Sequence, residues 1–362
     1  MKDNVNSWVI PLWIISTGVI IVFLIMAKRL LIPLVIAIAI WYLIESVSRA
    51  LQRIRFGKKS HFVLPRWLTL IISSFSIIGA LVLVIKILLE NFKTMAQSIP
   101  KYEDKLDQIF VHFTEFFEFE EATGYMELIQ QVDIARAVGP VFDTVTNLLA
   151  SLILILIYVI FLILERNALK VKLKKLMRTE SSYKNFLQVL GQINDSIRTY
   201  VSVKIFTSFL TGFLSYLVME LFGLDFAILW AFIIFALNFI PSLGSITATS
   251  LPLLFSLLQF GSFGTFFLLM ILLVGIQILV GNYLDPRMMG SRLNISPLVI
   301  LISLVAWGTI WGFAGMIFSV PIMAVLIIIF AQFRSTKFIA ILLSADGNLD
   351  VKKLGEKKEK AP

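Results

Sequence analysis

Ionisable side chains are scarce inside the long apolar stretches of this chain, and the few found there are the residues that could do chemistry. Asp195 and Arg198 stand i, i+3 at the entrance to an apolar run, and Lys204 follows inside it. Glu220 and Asp225 flank the far end of that run, and Asp285 with Arg287 follows another. A charge within a membrane helix is costly and marks a functional site by default. Arg198, Lys204, Glu220, Asp225 and Asp285 are therefore candidates for proton or cation coupling. Plainer readings stand beside this one. Asp195–Arg198 is equally a surface pair worth little. Lys204 lies near enough to the helix end to snorkel. Glu220 and Asp225 read as interfacial charges, and Asp285 as a local partner of Arg287.

Amides and helix breakers form a second group. Asn238 precedes Pro241 and Gly244, while Gln277 and Asn282 precede Asp285, Pro286 and Gly290. An amide both donates and accepts, which suits a polar solute or backbone groups freed by a broken helix. Asn238, Pro241, Gly244, Gln277, Asn282, Pro286 and Gly290 are the candidates for substrate binding or gating. Lys86 and Glu90 read as a snorkelling i, i+4 pair, and Glu45, ahead of a basic loop, as a structural partner. His61 and His112 are the two histidines and lie far apart, which argues against a histidine metal site.

Enzyme chemistry has no visible foothold. The chain has no cysteine, hence no thiol nucleophile and no thiolate metal site. It lacks Gly-x-x-x-x-Gly-Lys-Ser/Thr, Gly-x-Ser-x-Gly and His-Glu-x-x-His. The expectation is a protein that is not an enzyme and takes neither cofactor nor metal. The net charge of +9 is spread over loops, where membrane topology accounts for it, so nucleic acid is not expected as a partner.

These residues must be positioned by membrane helices. Hydrophobic residues make up 58% of the chain and charged ones 15%, with a mean hydropathy of +0.90. Apolar runs occupy residues 8–27, 30–47, 67–85, 148–164, 201–222, 226–240, 245–260, 263–280 and 297–333. About 20 such residues cross a bilayer as a helix. The runs are too long, and alternate too little, for barrel strands. The first run lacks a small-residue cleavage site and reads as a retained helix rather than a signal peptide.

Lys and Arg crowd segments 48–66, 165–198 and 334–360, which places these in the cytoplasm together with both termini. Acidic residues crowd 90–147, which then faces outward; Lys28 and Arg29 fall on a short outside hairpin, against the rule. Within the outward segment Leu106, Ile109, Phe110, Phe113, Phe116 and Phe117 form a helical stripe, and Gly139-Pro140 marks a break. The segment is either a small helical subdomain or an extension of the flanking helices. The resulting division is 1–89, three helices; 90–147, the outward segment; 148–198, a fourth helix and basic segment; 199–333, the transport core; and 334–362, a basic tail.

Within the core, segments 226–260 and 296–333 are each interrupted by Pro and Gly. Non-helical backbone at membrane depth is tolerated only inside protein or beside a water-filled cavity. Paired broken segments point to an inverted repeat with a site between the halves; short helices with loops at the two surfaces are the alternative. The expected fold is an all-α polytopic membrane protein of about eight membrane segments. It includes two Pro/Gly-broken hairpins, read as re-entrant, in an inverted repeat, and a small outward helical segment.

The residues around the breaks resemble a known family. Asn238-Phe239-Ile240-Pro241-Ser242-Leu243-Gly244 is similar to the Asn-x-Ile-Pro-x-x-Gly motif of the autoinducer-2 exporter family, the PerM-like permeases. Residues 281–290, with Asn282, Pro286 and Gly290, resemble its Asn-x-x-x-x-Pro-x-x-x-Gly segment. Leu293-Asn294-Ile295-Ser296-Pro297, Trp307-Gly308, Gly312-Phe313-Ala314-Gly315, Pro321 and Leu342-Leu343-Ser344 with Gly347 match in order and spacing. The resemblance implies a bacterial multi-pass transporter in the inner membrane, forming homo-oligomers among lipid. It implies export of a small polar solute such as the quorum-sensing signal autoinducer-2, or alternatively Na⁺(Li⁺)/H⁺ antiport. Asp285 is not at a position fixed as acidic in that motif. A non-transporting membrane scaffold, recruiting partners through the acidic segment and the basic tail, is the third reading.

Overall fold

A computed structural model of the protein describes residues 9–53, 64–117, 134–177, 179–241, 243–290 and 294–347. His61, most of the basic loop, the middle of the acidic segment and the end of the tail lie outside them, as does the side chain of His112. All regular structure among the described residues is helical. In chain order the helices are α1 (Val9–Met26), α2 (Lys28–Arg53), α3 (Arg66–Phe117), α4 (Ile134–Leu176), α5 (Glu180–Leu221), α6 (Ala227–Leu237), α7 (Leu243–Phe260) and α8 (Phe263–Gln277). A π-helix (Ile278–Leu284) follows, then α9 (Asp285–Met289), α10 (Pro297–Gln332) and α11 (Lys337–Leu343). Among the described residues 6 helices are long and apolar enough to cross a membrane, beside shorter apolar helices Pro11–Met26, Ala150–Glu165 and Ala227–Leu237. The chain is an all-α polytopic membrane protein.

Three helices outrun their apolar stretches. α3 has 52 residues, about 78 Å of helix, far more than the ~30 Å hydrocarbon core. α5 starts at Glu180, well ahead of the apolar run at 201–222, because no proline interrupts 180–221. The described parts of the outward segment continue α3 to Phe117 and begin α4 at Ile134, so they extend the flanking helices. α4 runs through Gly139-Pro140, where a break was expected. Proline forfeits one intrahelical hydrogen bond, and the long body of α4 carries the helix across that loss. Lys28 and Arg29, expected in a hairpin loop, are instead the first residues of α2, joined to α1 through Ala27 alone.

The chain forms two compact units. One comprises Met1–Trp41, Leu154–Tyr200 and Met289–Pro362. In it α10 reverses at Gly312, whose φ of 62° and ψ of −140° leave helical geometry. A Cβ on Gly315 would collide with the Trp307 carbonyl, so the two arms of α10 touch through backbone there. The Trp311 indole N–H donates to the Leu24 carbonyl of α1 at 3.1 Å. α11 is tied to the start of α10, the Ser296 N–H donating to the Leu343 carbonyl at 3.0 Å.

The other unit comprises Tyr42–Ile153 and Val201–Met288. Its core joins Leu88, Phe92 and Met95 of α3 to Leu229 and Ile234 of α6, Phe255 of α7 and Leu269 and Leu273 of α8. The i, i+4, i+7 spacing on α3 puts its three residues on one face. α6 and α7 form a hairpin. Gly244 sits where a Cβ would strike the Leu237 carbonyl, so only glycine lets the arms close at the tip. α5 ends in a Schellman motif: Gly223 has φ 67°, Gly223 N–H donates to Glu220 O and Leu224 N–H to Met219 O, each at 2.9 Å.

Candidate functional site

α5 carries a polar stripe through its apolar body. Lys204, Thr207, Ser208, Thr211 and Ser215 recur at i, i+3, i+4, i+7 and i+11 and are all buried, none more than 7% exposed. A helix projects that spacing from one face. The hairpin tip meets the stripe near its middle. Asn238 caps α6 at its C-terminus; its amide donates to Ser208 Oγ at 3.2 Å, and its Oδ1 accepts from Gln277 Nε2 at 3.1 Å. Asn238 is 4% exposed. These three neutral residues make one layer.

Two members of the layer lie within helical stretches long and apolar enough to cross a membrane, Ser208 in α5 and Gln277 in the stretch Phe263–Met289 that α8 begins. Ser208 is about 20 Å along α5 from Leu221, and Gln277 about 21 Å along α8 from Phe263. Both starting points are at the hairpin's root, where Gln259 Nε2 donates to the Gly223 carbonyl at 2.7 Å. α6, with 11 residues, is about 16 Å long and cannot cross a ~30 Å core. α7, with 18 residues, is itself long and apolar enough to cross.

A charged layer lies one turn further along α5. Lys204 Nζ donates to Asp285 Oδ2 at 2.7 Å, and Thr207 Oγ1 donates to Asp285 Oδ1 at 3.3 Å. Lys204 and Asp285 are each 7% exposed. A buried pair of this kind survives because each charge neutralises the other; removing one partner typically costs about 3–5 kcal/mol.

The two layers are joined by the π-helix. Its wide turns are confirmed at the exit, where the Asp285 N–H reaches back five residues to the Val280 carbonyl. Pro286, next in sequence, has no N–H to give. The wider turn changes which face follows Gln277 and aims Asp285 at Lys204. π-helical turns inside α-helices are rare and gather at functional sites.

The sequence candidates divide. Lys204, Asn238, Gln277 and Asp285 come together. Pro241 and Gly244 shape the hairpin tip beside them. Asn282, Pro286 and Gly290 are exposed, with Gly290 at φ 59°. Asp285 pairs with Lys204 and not with Arg287, whose guanidinium donates to the Tyr283 hydroxyl. Glu220 is exposed. Arg198 belongs to the other unit and is half-buried there. Glu45 pairs with Arg49 and Arg66 at 3.4 Å each; Lys86 and Glu90 are an exposed pair at 4.0 Å.

Sequence reasoning missed Thr207 and Ser208. Hydroxyl residues are too common in apolar helices to stand out singly, but their periodicity with Lys204 was a readable signal. It also missed Tyr102, whose hydroxyl donates to Asp225 Oδ2 at 2.5 Å. Burial first, then that bond, pushes the Tyr102 hydroxyl's pKa well above its usual value.

Comparison with known proteins agrees with the motifs at this site. The family model described as AI-2E family transporter matches residues 12–335. A relative from Borreliella burgdorferi, carrying a provisional transport-protein name, is 28% identical over 316 residues, 86% of this chain and 83% of its own. A similarly named one from Haemophilus influenzae is 26% identical and covers 95% of this chain and 98% of its own. The AI-2 transport protein TqsA of Escherichia coli strain K12 is 26% identical, covering 88% and 90%. With a family match spanning both breaks and the polar layers between α5, the hairpin and α8, the chain belongs to the AI-2E family of membrane transporters.

Proposed function

We propose that the protein moves a small polar solute such as autoinducer-2 across the bacterial inner membrane, outward or down its gradient, by alternating access at the hairpin tip. The observation that carries this reading is the buried neutral layer of Asn238, Ser208 and Gln277 at the tip of a hairpin whose first arm, α6, is too short to span. Amides and hydroxyls there can exchange their mutual hydrogen bonds for those of a solute without unpairing a charge. Pro241 breaks the helix at the tip, and Gly244 lets the two arms close tightly beside the layer. Homo-oligomers in lipid, with both termini cytoplasmic and 90–147 outside, belong to the same reading, supported by the distribution of Lys and Arg. The assay is uptake of labelled autoinducer-2 into inside-out proteoliposomes. Transport should fall at least tenfold in Asn238→Ala and in Pro241→Ala; full activity in both sinks the assignment.

Na⁺(Li⁺)/H⁺ antiport is the second reading, favoured by the buried Asp285 beside Lys204. Cation pulses outside proteoliposomes holding a pH-sensitive dye should then drive a proton flux that Asp285→Asn abolishes. Absence of any flux in the unmodified protein removes this reading.

A further inference from the structure

The root of the hairpin is built differently from its tip. Between α5 and α6 the chain passes through Gly223 at φ 67° and then Phe226 at φ 61°. Left-handed backbone is expected of the glycine. It is unfavourable for phenylalanine, whose Cβ crowds the following carbonyl, and Phe226 has no side-chain cap bond as it starts α6. Such a conformation persists only where the surroundings over-determine it, and it clusters at clamps and switches.

Three side chains on α3 and α7 supply that constraint. Asp225, next to Phe226, accepts the Tyr102 hydroxyl bond at 2.5 Å. Its own backbone N–H donates to Gln259 Oε1 at 2.6 Å, and the same Gln259 amide donates to the Gly223 carbonyl. Gln259, near the end of α7, thus clasps the elbow from both sides. The Phe255 ring, one turn earlier on α7, packs edge-on to Tyr102 at 5.0 Å and to Phe226 at 5.7 Å. Tyr102 is only 3% exposed, yet it lies beyond Met95, where the apolar part of α3 ends. It stands where the membrane span of α3 becomes the outward extension.

We propose that Tyr102 is a positioning residue for transport: through Asp225 it holds the strained elbow, and so the whole α6–α7 hairpin, where Asn238 meets Ser208 and Gln277. The outward extension of α3 is then the lever that sets the buried layer, about 20 Å away along α5. A load on that extension reaches the elbow through the Tyr102–Asp225 bond and the Phe255 ring contact, beside the apolar packing of Leu88, Phe92 and Met95 on the hairpin. This rests on the solute-transport reading only in naming the tip as the site; the linkage itself is independent of what is carried.

The chain has no cysteine, so spin labels can be attached to a Phe206→Cys/Leu243→Cys pair without background, both positions being exposed. Pulsed electron–electron resonance in nanodiscs then reads the distance from α5 to the hairpin tip. The expected result is a narrow distribution in the parent. In Tyr102→Phe, which keeps the ring, the undocked population should rise roughly tenfold, the effect of losing a hydrogen bond to a charged group. Asp225→Ala should match it, the double variant should add nothing further, and Asp225→Asn, which keeps an acceptor, should stay close to the parent. An unchanged distribution in Tyr102→Phe overturns the proposal, as does full additivity in the double variant. If Asp225→Ala does not fold, Tyr102→Phe decides alone. Distances that respond while autoinducer-2 uptake is absent would keep the linkage and remove the solute reading.

Discussion

Lys204 and Asp285 form the costliest contact in the candidate site. Both are buried, and each is tolerable only beside the other. Asp285→Asn should therefore destabilise the folded protein by about 3–5 kcal/mol, and Lys204→Met by a similar amount. The combined Lys204→Met/Asp285→Leu variant should recover most of that loss, because well-packed apolar replacements of a buried pair are often neutral. Thermal unfolding in detergent checks both; additive losses would show that the two charges do not depend on one another. Tyr102 gives a pH signature of the opposite kind. Its raised pKa means that the folded state holds its proton more tightly than the unfolded chain, where tyrosine titrates near pH ~10. The stabilisation is complete below that value and is lost as pH climbs past it. Melting temperature should fall more steeply above pH ~10 in the parent than in Tyr102→Phe. At this scale the sequence was half legible. Charges and amides in grease announce themselves, as Lys204, Asn238, Gln277 and Asp285 did. Their pairing did not, since Lys204 and Asp285 are 81 positions apart and Arg287 offered a nearer partner.

Among the elements, the hairpins were readable because proline and glycine break helices for reasons local to the chain. Asn238 to Gly244 and Trp307 to Gly315 both mark reversals in which glycine admits a carbonyl that a methyl group would displace. Gly244→Ala should separate α6 from α7 and lower transport more than it lowers expression, measured as uptake per folded molecule. Helix lengths were harder. Apolar composition marks where lipid is, not where a helix stops, and polar stretches without breakers continued α3 and α5 well past the apolar runs. The π-helix had no advance sign except Pro286, whose missing N–H favours irregular bonding just upstream. Pro286→Ala supplies that donor. It should allow an ordinary α-turn after Gln277, turn Asp285 away from Lys204 and mimic Asp285→Asn in thermal unfolding.

On the scale of the molecule, class and family were legible from hydropathy and motif order alone, since neither depends on tertiary contacts. How the chain partitions was not: α2, α4 and α5 each run from one compact unit into the other, and no composition shift marks those crossings. Topology remains testable in the same cysteine-free background. A membrane-impermeant maleimide should label Lys101→Cys in intact spheroplasts, and Lys337→Cys only after permeabilisation.

The brevity of α6 also bears on how the protein is made. Eleven residues fall short of the roughly 20 that an insertion machinery releases into lipid as one helix. α6 is expected to enter the bilayer only once α7 and α8 have emerged to pack against it. In the re-entrant reading the hairpin starts and ends on the same face, so its late arrival leaves the orientation of every later span unchanged. A nascent chain truncated after Leu237 should leave α6 outside the bilayer, and one extended past Gln277 should draw it in.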